Sequence, residues 1–299
     1  MPSKILITGG TGLIGSRLTQ RLIEKKHKVS ILTTSAVRAE ESGAFYWNLK
    51  DKYIDRRAFE GVDHIIHLAG AGVADERWTK ERKKIIYDSR VANTRLLFER
   101  SKGHGIKGII AASAIGYYGM DTADAWVDEK TERGSDYFSD VVMDWEASID
   151  SFEEIVTQVV KLRIGVVLDP AGGPLSKISK PIRMGMGSPL GNGKQWLSWI
   201  HSEDLVKMVL FALDSNLSGT YNAVAPNPVT NTDFTKAVAK KLGRSLWLPN
   251  APAFILKMVF GELAQVVLGG NRVKSDKIEK KGYSFDYPQL DAALANLLK

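Results

Sequence analysis

Between residues 4 and 168 the chain alternates short apolar runs with longer segments of helical spacing. Residues 4–9 (KILITG) are an apolar run ending in glycine, the pattern of a buried parallel strand. Residues 11–27 follow with Leu13, Ile14, Leu18, Leu22 and Ile23 on one helical face. The same reading predicts strands at 28–34, 62–70, 107–114 and 157–168. It predicts one long helix at 83–105, closed by glycines, and another at 139–154. Strands alternating with helices through short loops define an α/β fold built on a doubly wound parallel sheet.

The rhythm stops at Asp169-Pro170. Residues 169–199 are rich in Gly, Pro, Ser and Lys and predict an irregular segment with a functional role. A helix at 200–213 and a strand at 219–225 are expected to return to the sheet. The remainder reads as mostly helical, with a short strand at 245–249 (SLWLP). The predicted organisation is a larger sheet domain over 1–168 plus about 200–226, and a smaller, mostly helical substrate domain over about 169–199 plus 227–299. The most apolar stretch, 251–270, is interrupted by Lys257 and Glu262 and predicts a core-facing helix, not a membrane span.

Composition changes this picture little. With 299 residues, 44% hydrophobic and 25% charged, the chain reads as a globular protein. The absence of cysteine excludes disulfides, thiolate metal sites and a Cys nucleophile. No leader is predicted at the N-terminus, and a cytoplasmic location is the expectation. The net charge is +7, with basic clusters at 77–90 and 271–281. Acidic residues are interspersed there and no nucleic-acid motif is present, so solvated helix faces are favoured over a nucleic-acid surface. A small-molecule substrate is expected, with no nucleic acid, membrane or metal partner; a homodimer is left open.

The strongest local chemistry is ITGGTGLIG, readable as Gly10-x-Gly12-x-x-Gly15 or Gly9-x-x-Gly12-x-x-Gly15. Glycine lets a strand turn tightly into a helix and lets the backbone approach a pyrophosphate at the helix N-terminus. Gly9, Gly10, Thr11, Gly12, Leu13, Ile14 and Gly15 are therefore candidate dinucleotide-binding residues. An NAD site usually places a carboxylate at the end of the second strand, yet here Thr33, Thr34 and Ser35 stand there, with Arg38 near and Arg17 on the first helix. Hydroxyls and an arginine suit a 2′-phosphate, which favours NADP(H) over NAD(H).

GGTGLIG, HLAGAGV (67–73), SAIGYYG (113–119) and WIHSEDL (199–205) together resemble the extended short-chain dehydrogenases/reductases. DWEAS, LRIGVVLDPAGG, GSPLGNGKQWLSWIHSEDL, YNAVAPNPVTNTDF and GYSFDYPQLDAAL are more closely similar to an atypical, epimerase-family subgroup likened to nucleoside-diphosphate-sugar epimerases. The resemblance spans nearly the whole chain. It implies a Rossmann domain with a small C-terminal substrate domain over the sheet's C-terminal edge. It implies that Gly9 to Gly15 hold the pyrophosphate and that Thr33 and Thr34 line the adenosine ribose, Thr34 departing from a frequent arginine. It also implies cofactor contacts at Leu68, Ala69, Gly70, Arg90 and Val166, with Asn93 in support. His67 reads as core, and His201 as either packing or support near the site.

In this superfamily a Tyr general acid/base precedes a Lys by four residues, and a Ser on the preceding strand orients substrate. Ser113 matches the serine, but Phe138 and Val142 occupy the Tyr and Lys positions. Neither can donate a proton. The one literal Y-x-x-x-K, at 46–50, lies too far upstream and reads as strand and turn. Tyr117 and Tyr118 are the candidate replacements, with Asp140 and Asp144 weaker ones and the glycines and Lys194 of GSPLGNGKQW a candidate anion site. The expected activity is that of an NADP(H)-binding oxidoreductase or epimerase of atypical mechanism, acting on a carbonyl or nucleotide-sugar-like molecule. The alternative is a non-catalytic dinucleotide-binding sensor or regulator.

Overall fold

The computed structural model describes residues 2–298. In chain order the elements of the first half are β1 (Lys4–Thr8), α1 (Leu13–Glu24), β2 (Lys28–Thr33), β3 (Ala44–Asn48), β4 (Tyr53–Ile54), β5 (His64–His67), α2 (Lys80–Asp88), α3 (Val91–Ser101), β6 (Gly108–Ala114), β7 (Trp126–Val127) and α4 (Tyr137–Asp150). The second half carries β8 (Gln158–Ile164), β9 (Val166–Leu168), α5 (Gly173–Arg183), β10 (Trp196–Leu197), β11 (Trp199–His201), α6 (Ser202–Asp214), β12 (Gly219–Ala223), β13 (Val229–Thr230), α7 (Asn231–Lys241), α8 (Ala253–Phe260), α9 (Ala264–Leu268), β14 (Arg272–Val273), α10 (Asp276–Glu279) and α11 (Leu290–Leu297).

Eight strands form one sheet in the order β12-β8-β6-β5-β1-β2-β3-β4, parallel except for β4. Alternation sorts its side chains onto two faces. Ile5, Ile7 and Ile66 pack with Leu18 and Leu22 of α1 and Val206 and Val209 of α6. Leu6, Ile65 and Ile109 pack with Leu97 of α3 and Trp145, Ile149 and Phe152 on the α4 side. A third apolar cluster joins Leu168, Leu175, Ile182, Trp199, Phe234, Val238 and Leu294, beyond the sheet.

Several elements differ from the sequence-based expectation. The helix expected at 83–105 is two helices. The Arg90 side chain turns back and donates from Nη1 to Ile86 O at 3.1 Å, and Ser89 Oγ donates to the same carbonyl. Arg90 N bonds Tyr87 O instead, so the helical ladder is broken there by side chains. The strand expected at 157–168 breaks at Gly165, where a Cβ would overlap Ser198 O. β8 stays in the main sheet and β9 pairs with β11.

The segment 169–199 is less irregular than its composition suggests, because it contains α5, with proline in the first helical turn and Leu175 and Ile182 buried. Residues 245–249 form no strand. The apolar stretch 251–270 is not one core-facing helix. Gly261, at φ +60°, ends α8, whose one buried residue is Leu256, while Leu263 and Ala264 beyond it are buried. No helix among the described residues is long and apolar enough to cross a membrane.

Candidate active site

β1 and β5 are neighbours, and the chain leaves them in opposite directions, to β2 on one side and β6 on the other. A crevice opens at the carboxyl ends of strands at such a switch point. The glycine turn sits there. Gly9 has φ +72°, and a Cβ on it would lie 2.9 Å from Leu68 C. A Cβ on Gly10 would lie 2.6 Å from Ile31 Cγ2, and one on Gly15 would overlap Gly9 O. Gly12 N closes the turn on Gly9 O at 3.0 Å. Thr11 is exposed, and Ser16 N bonds back to Gly12 O, leaving the Leu13 and Ile14 amides at the N-terminus of α1 without a partner among the described residues. This backbone cradle fits a pyrophosphate.

At the end of β2, Thr33 is buried and its hydroxyl accepts from Ser35 N at 3.1 Å. Thr34, Ser35 and Arg38 are exposed, and Arg38 has no ion pair among the described residues. Arg17 differs from the sequence-based expectation. It pairs with Asp169 at 2.8 Å and Glu203 at 3.0 Å, bracing α1 against the end of β9 and α6, so it is not free for a phosphate.

Leu68 N and Ala69 N bond the Thr8 carbonyl and hydroxyl, which holds the exit of β5 against β1. Behind Gly70 lies Arg90. It is 8% exposed, and its guanidinium carbon would be 3.5 Å from a Cβ on Gly70. Among the described residues its Nε has no hydrogen-bond partner and no carboxylate pairs with it, while the Trp145 ring lies 5.3 Å away. Burial lowers its pKa to about 10. A buried cation lacking a counter-charge is unfavourable, and an anion brought to Gly70 would offset it. Asn93 Nδ2 donates to Ser89 O and fixes the same break between α2 and α3.

His67 is fully buried between Thr8 Oγ1 at 2.6 Å and Thr94 Oγ1 at 2.9 Å, and burial lowers its pKa to about 4. It is a neutral strut under the turn. His201 caps α6 by accepting from Glu203 N and stacks on Tyr287 at 3.9 Å, a packing role.

Parallel register places Ser113, Arg163 and Asn222 side by side on β6, β8 and β12. Glu146, from α4, covers the row. It accepts from Ser113 Oγ at 2.6 Å and from Arg163 Nε and Nη2, each at 2.8 Å. Arg163 Nη1 donates to the Tyr118 hydroxyl at 3.1 Å, and that hydroxyl donates to Asn222 at 2.7 Å. The Arg163 guanidinium carbon lies 3.4 Å from the Tyr117 ring centroid. Burial opposes the Arg163 charge, but bonding and attraction to Glu146 outweigh it and raise its pKa. Burial pushes Tyr118 up to about 12. Tyr118 is buried within the row, whereas Tyr117 is half-buried and its hydroxyl has no hydrogen-bond partner among the described residues.

Phe138 and Val142 are buried with Trp78, Val141 and Leu263. A Cβ on Gly116 would overlap the Phe138 ring, so the turn carrying Tyr117 rests directly on this apolar contact. Asp140 pairs with exposed Arg133, and Asp144 accepts from the Tyr87 hydroxyl. Of the glycine amides expected as an anion nest, two are occupied, Gly191 N by Ala251 O and Gly193 N by Leu190 O. Val166 is half-buried on β9 opposite Trp199. Asn222 carries no sequence signal of its own, and Arg163 carries a single one. An arginine inside the apolar run QVVKLRI is the one available clue.

The geometry defines a Rossmann-type dinucleotide-binding fold with a polar network on three strands at its crevice. Residues 5–224 match the NAD-dependent epimerase/dehydratase family, and residues 251–297 match a domain of unknown function, DUF1731. The chain belongs to that epimerase family, as an atypical extended member. It is 33% identical to an epimerase family protein of Staphylococcus aureus over 98% of both chains. It is 36% identical to one of Mycobacterium tuberculosis over 97% of this chain and 96% of that one. Among solved structures, human epimerase family protein SDR39U1 with NADPH superposes with TM-score 0.87 at 31% identity, over 98% of each chain. A nucleoside-diphosphate sugar epimerase from Corynebacterium glutamicum matches with TM-score 0.82 at 30% identity, over all of this chain and 58% of that one. UDP-glucose 4-epimerase of Thermotoga maritima, at 19% identity and TM-score 0.78, shares the fold.

Proposed function

We propose that the protein is an NADP(H)-dependent oxidoreductase or epimerase whose acid–base chemistry has left α4 for the turn after β6. The observation that carries this is Arg163, a strand residue whose guanidinium reaches Tyr117, Tyr118 and Glu146 together. It supplies a cation beside a phenol where the Val142 position cannot. Tyr117, with its free hydroxyl, exchanges the proton with a substrate carbonyl or hydroxyl oxygen. Ser113 and Glu146 hold Arg163 and the turn in place, and Tyr118 locks the turn to Asn222. A bound nicotinamide supplies or accepts the hydride.

The cofactor residues fit that group. The glycine cradle receives the pyrophosphate, and Leu68, Ala69, Gly70 and Val166 border the crevice. Arg90 supplies the unpaired cation. Thr33, Thr34, Ser35 and Arg38 form an acid-free end of β2, which suits a 2′-phosphate. The NADPH bound to human SDR39U1 supports the same preference. Residues of about 169–199 and 227–299 would supply the substrate side.

Calorimetric binding of NADPH and NADH, followed by a carbonyl-reduction screen on the tighter cofactor, tests this. Tighter NADPH binding and turnover of any carbonyl are expected. Tight binding with no turnover across the panel would instead establish a dinucleotide sensor, and binding of neither cofactor would sink both.

A further inference from the structure

The +7 charge is unevenly placed. Residues 170–202 and 234–261 together carry nine Lys or Arg and no Asp or Glu, so the remainder of the chain holds 32 basic against 34 acidic residues. All nine cations are exposed. Lys177 alone among them has an ion pair within the described residues, with Asp75 at 4.0 Å. The nearby carboxylates have cations of their own: Arg82 lies 3.7 Å from Asp75 and from Glu76, and Lys83 pairs with Glu262.

These two segments meet. Trp247 Nε1 donates to Gly185 O at 2.9 Å, and Ala251 exchanges backbone hydrogen bonds with Pro189 and Gly191 at the entry to α8. On the surface they share, large apolar side chains face outward. Trp247 is 72% exposed, Phe254 and Met258 each 69%, Met184 59%, Val259 52% and Met186 51%. The exposed residues of α8 recur at i and i+4, giving it an outward apolar stripe with Lys257 beside it. A soluble surface scatters such residues singly and interleaves both charge signs.

We propose that this face docks on an anionic lipid surface. Apolar side chains on a short helix and its neighbouring turn would enter the headgroup region, while Lys180, Arg183, Arg244 and Lys257 engage the lipid charge. Charge complementarity selects this occupant. A second copy of the chain would bring the same two basic segments, which hold no carboxylate of their own, against themselves, with like charges opposed. Arg77 Nη2 donates to Met258 O and Lys177 Nζ to Ala74 O, so α8 and α5 both border the loop that follows Gly70. The candidate active site would thus open beside the lipid.

Co-sedimentation of the full chain with vesicles tests the proposal. One set contains phosphatidylcholine alone and the other about 30% phosphatidylglycerol, at low salt and at about 0.5 M salt. Binding to the anionic vesicles, release by salt and little binding to the neutral ones are expected. Phe254→Ser/Met258→Ser should weaken binding about tenfold or more. Because both side chains are exposed, its melting temperature should match the parent chain. Lys180→Glu/Arg183→Glu should weaken binding about fivefold or more. Absence of vesicle binding would overturn the proposal. Binding that Phe254→Ser/Met258→Ser leaves unchanged would overturn it too. So would a concentration-dependent dimer, abolished by the same variant, in ultracentrifugation without lipid.

Discussion

Two adjacent tyrosines on one turn differ in what their hydroxyls meet. Tyr118 spends its proton on Asn222 and accepts from Arg163 inside the protein, while Tyr117 keeps its hydroxyl free. Tyr118→Phe strips partners from buried polar groups and should cost about 1–3 kcal/mol of stability, read in a urea titration. Tyr117→Phe should leave stability nearly unchanged and lower turnover about 100-fold or more at unaltered NADPH affinity. Equal loss of turnover in both variants would argue against Tyr117 as the proton donor. His67 gives a second prediction. Its pKa falls from 6.5 to about 4 on folding, so the unfolded chain binds the proton more tightly between those values. Stability is then complete above pH 6.5 and declines as pH falls towards 4, by about 3 kcal/mol. Urea midpoints for the parent chain and for His67→Asn, compared at pH 7 and pH 4.5, check it. The slope should be shallower in the variant.

At the scale of elements, the glycine turn was legible because its chemistry is local. Strand, glycines and helix follow one another in sequence, and the structure shows a steric reason for glycine at positions 9, 10 and 15. Gly15→Ala would push a methyl group into Gly9 O. Its expected effect is a loss of NADPH affinity of about 100-fold, with the sheet intact by circular dichroism. Unchanged affinity would show that the turn relaxes without cost. The strand end of Ser113 and the turn of the two tyrosines were legible for the same local reason, as positions and not as roles. The rest of the network was not. Ser113, Arg163 and Asn222 are 50 and then 59 residues apart in sequence and meet through parallel register, which only the folded sheet sets. The break at Arg90 was hidden because a side chain competing for Ile86 O leaves the 3.6-residue pattern untouched. Residues 251–270 misled for the converse reason, since apolar composition alone does not say which face is covered.

For the molecule as a whole, the proposed cofactor site would link folding to NADPH binding through one buried cation. Arg90 has no counter-ion among the described residues, and burial brings its pKa down to about 10. The cost of keeping it charged falls on the cofactor-free protein. It is recovered if an anionic ligand arrives at Gly70. Arg90→Met keeps the apolar packing on Trp145 while removing the charge, so it should raise the melting temperature of the free protein. The same substitution should shrink the rise produced by NADPH. In the parent chain, NADPH at about 100 times its dissociation constant adds about 2.7 kcal/mol. For a chain of this size that is a rise of several degrees, at about 2–4 °C per kcal/mol. NADH at the same concentration should give less if the acid-free end of β2 reads the 2′-phosphate. The two effects are separable by thermal melts alone. Loss of the NADPH–NADH difference would point to β2, whereas an equal reduction with both cofactors would point to Arg90. A variant that melts lower than the parent without ligand, and gains as much from NADPH, would show that Arg90 serves the break between α2 and α3 and nothing more.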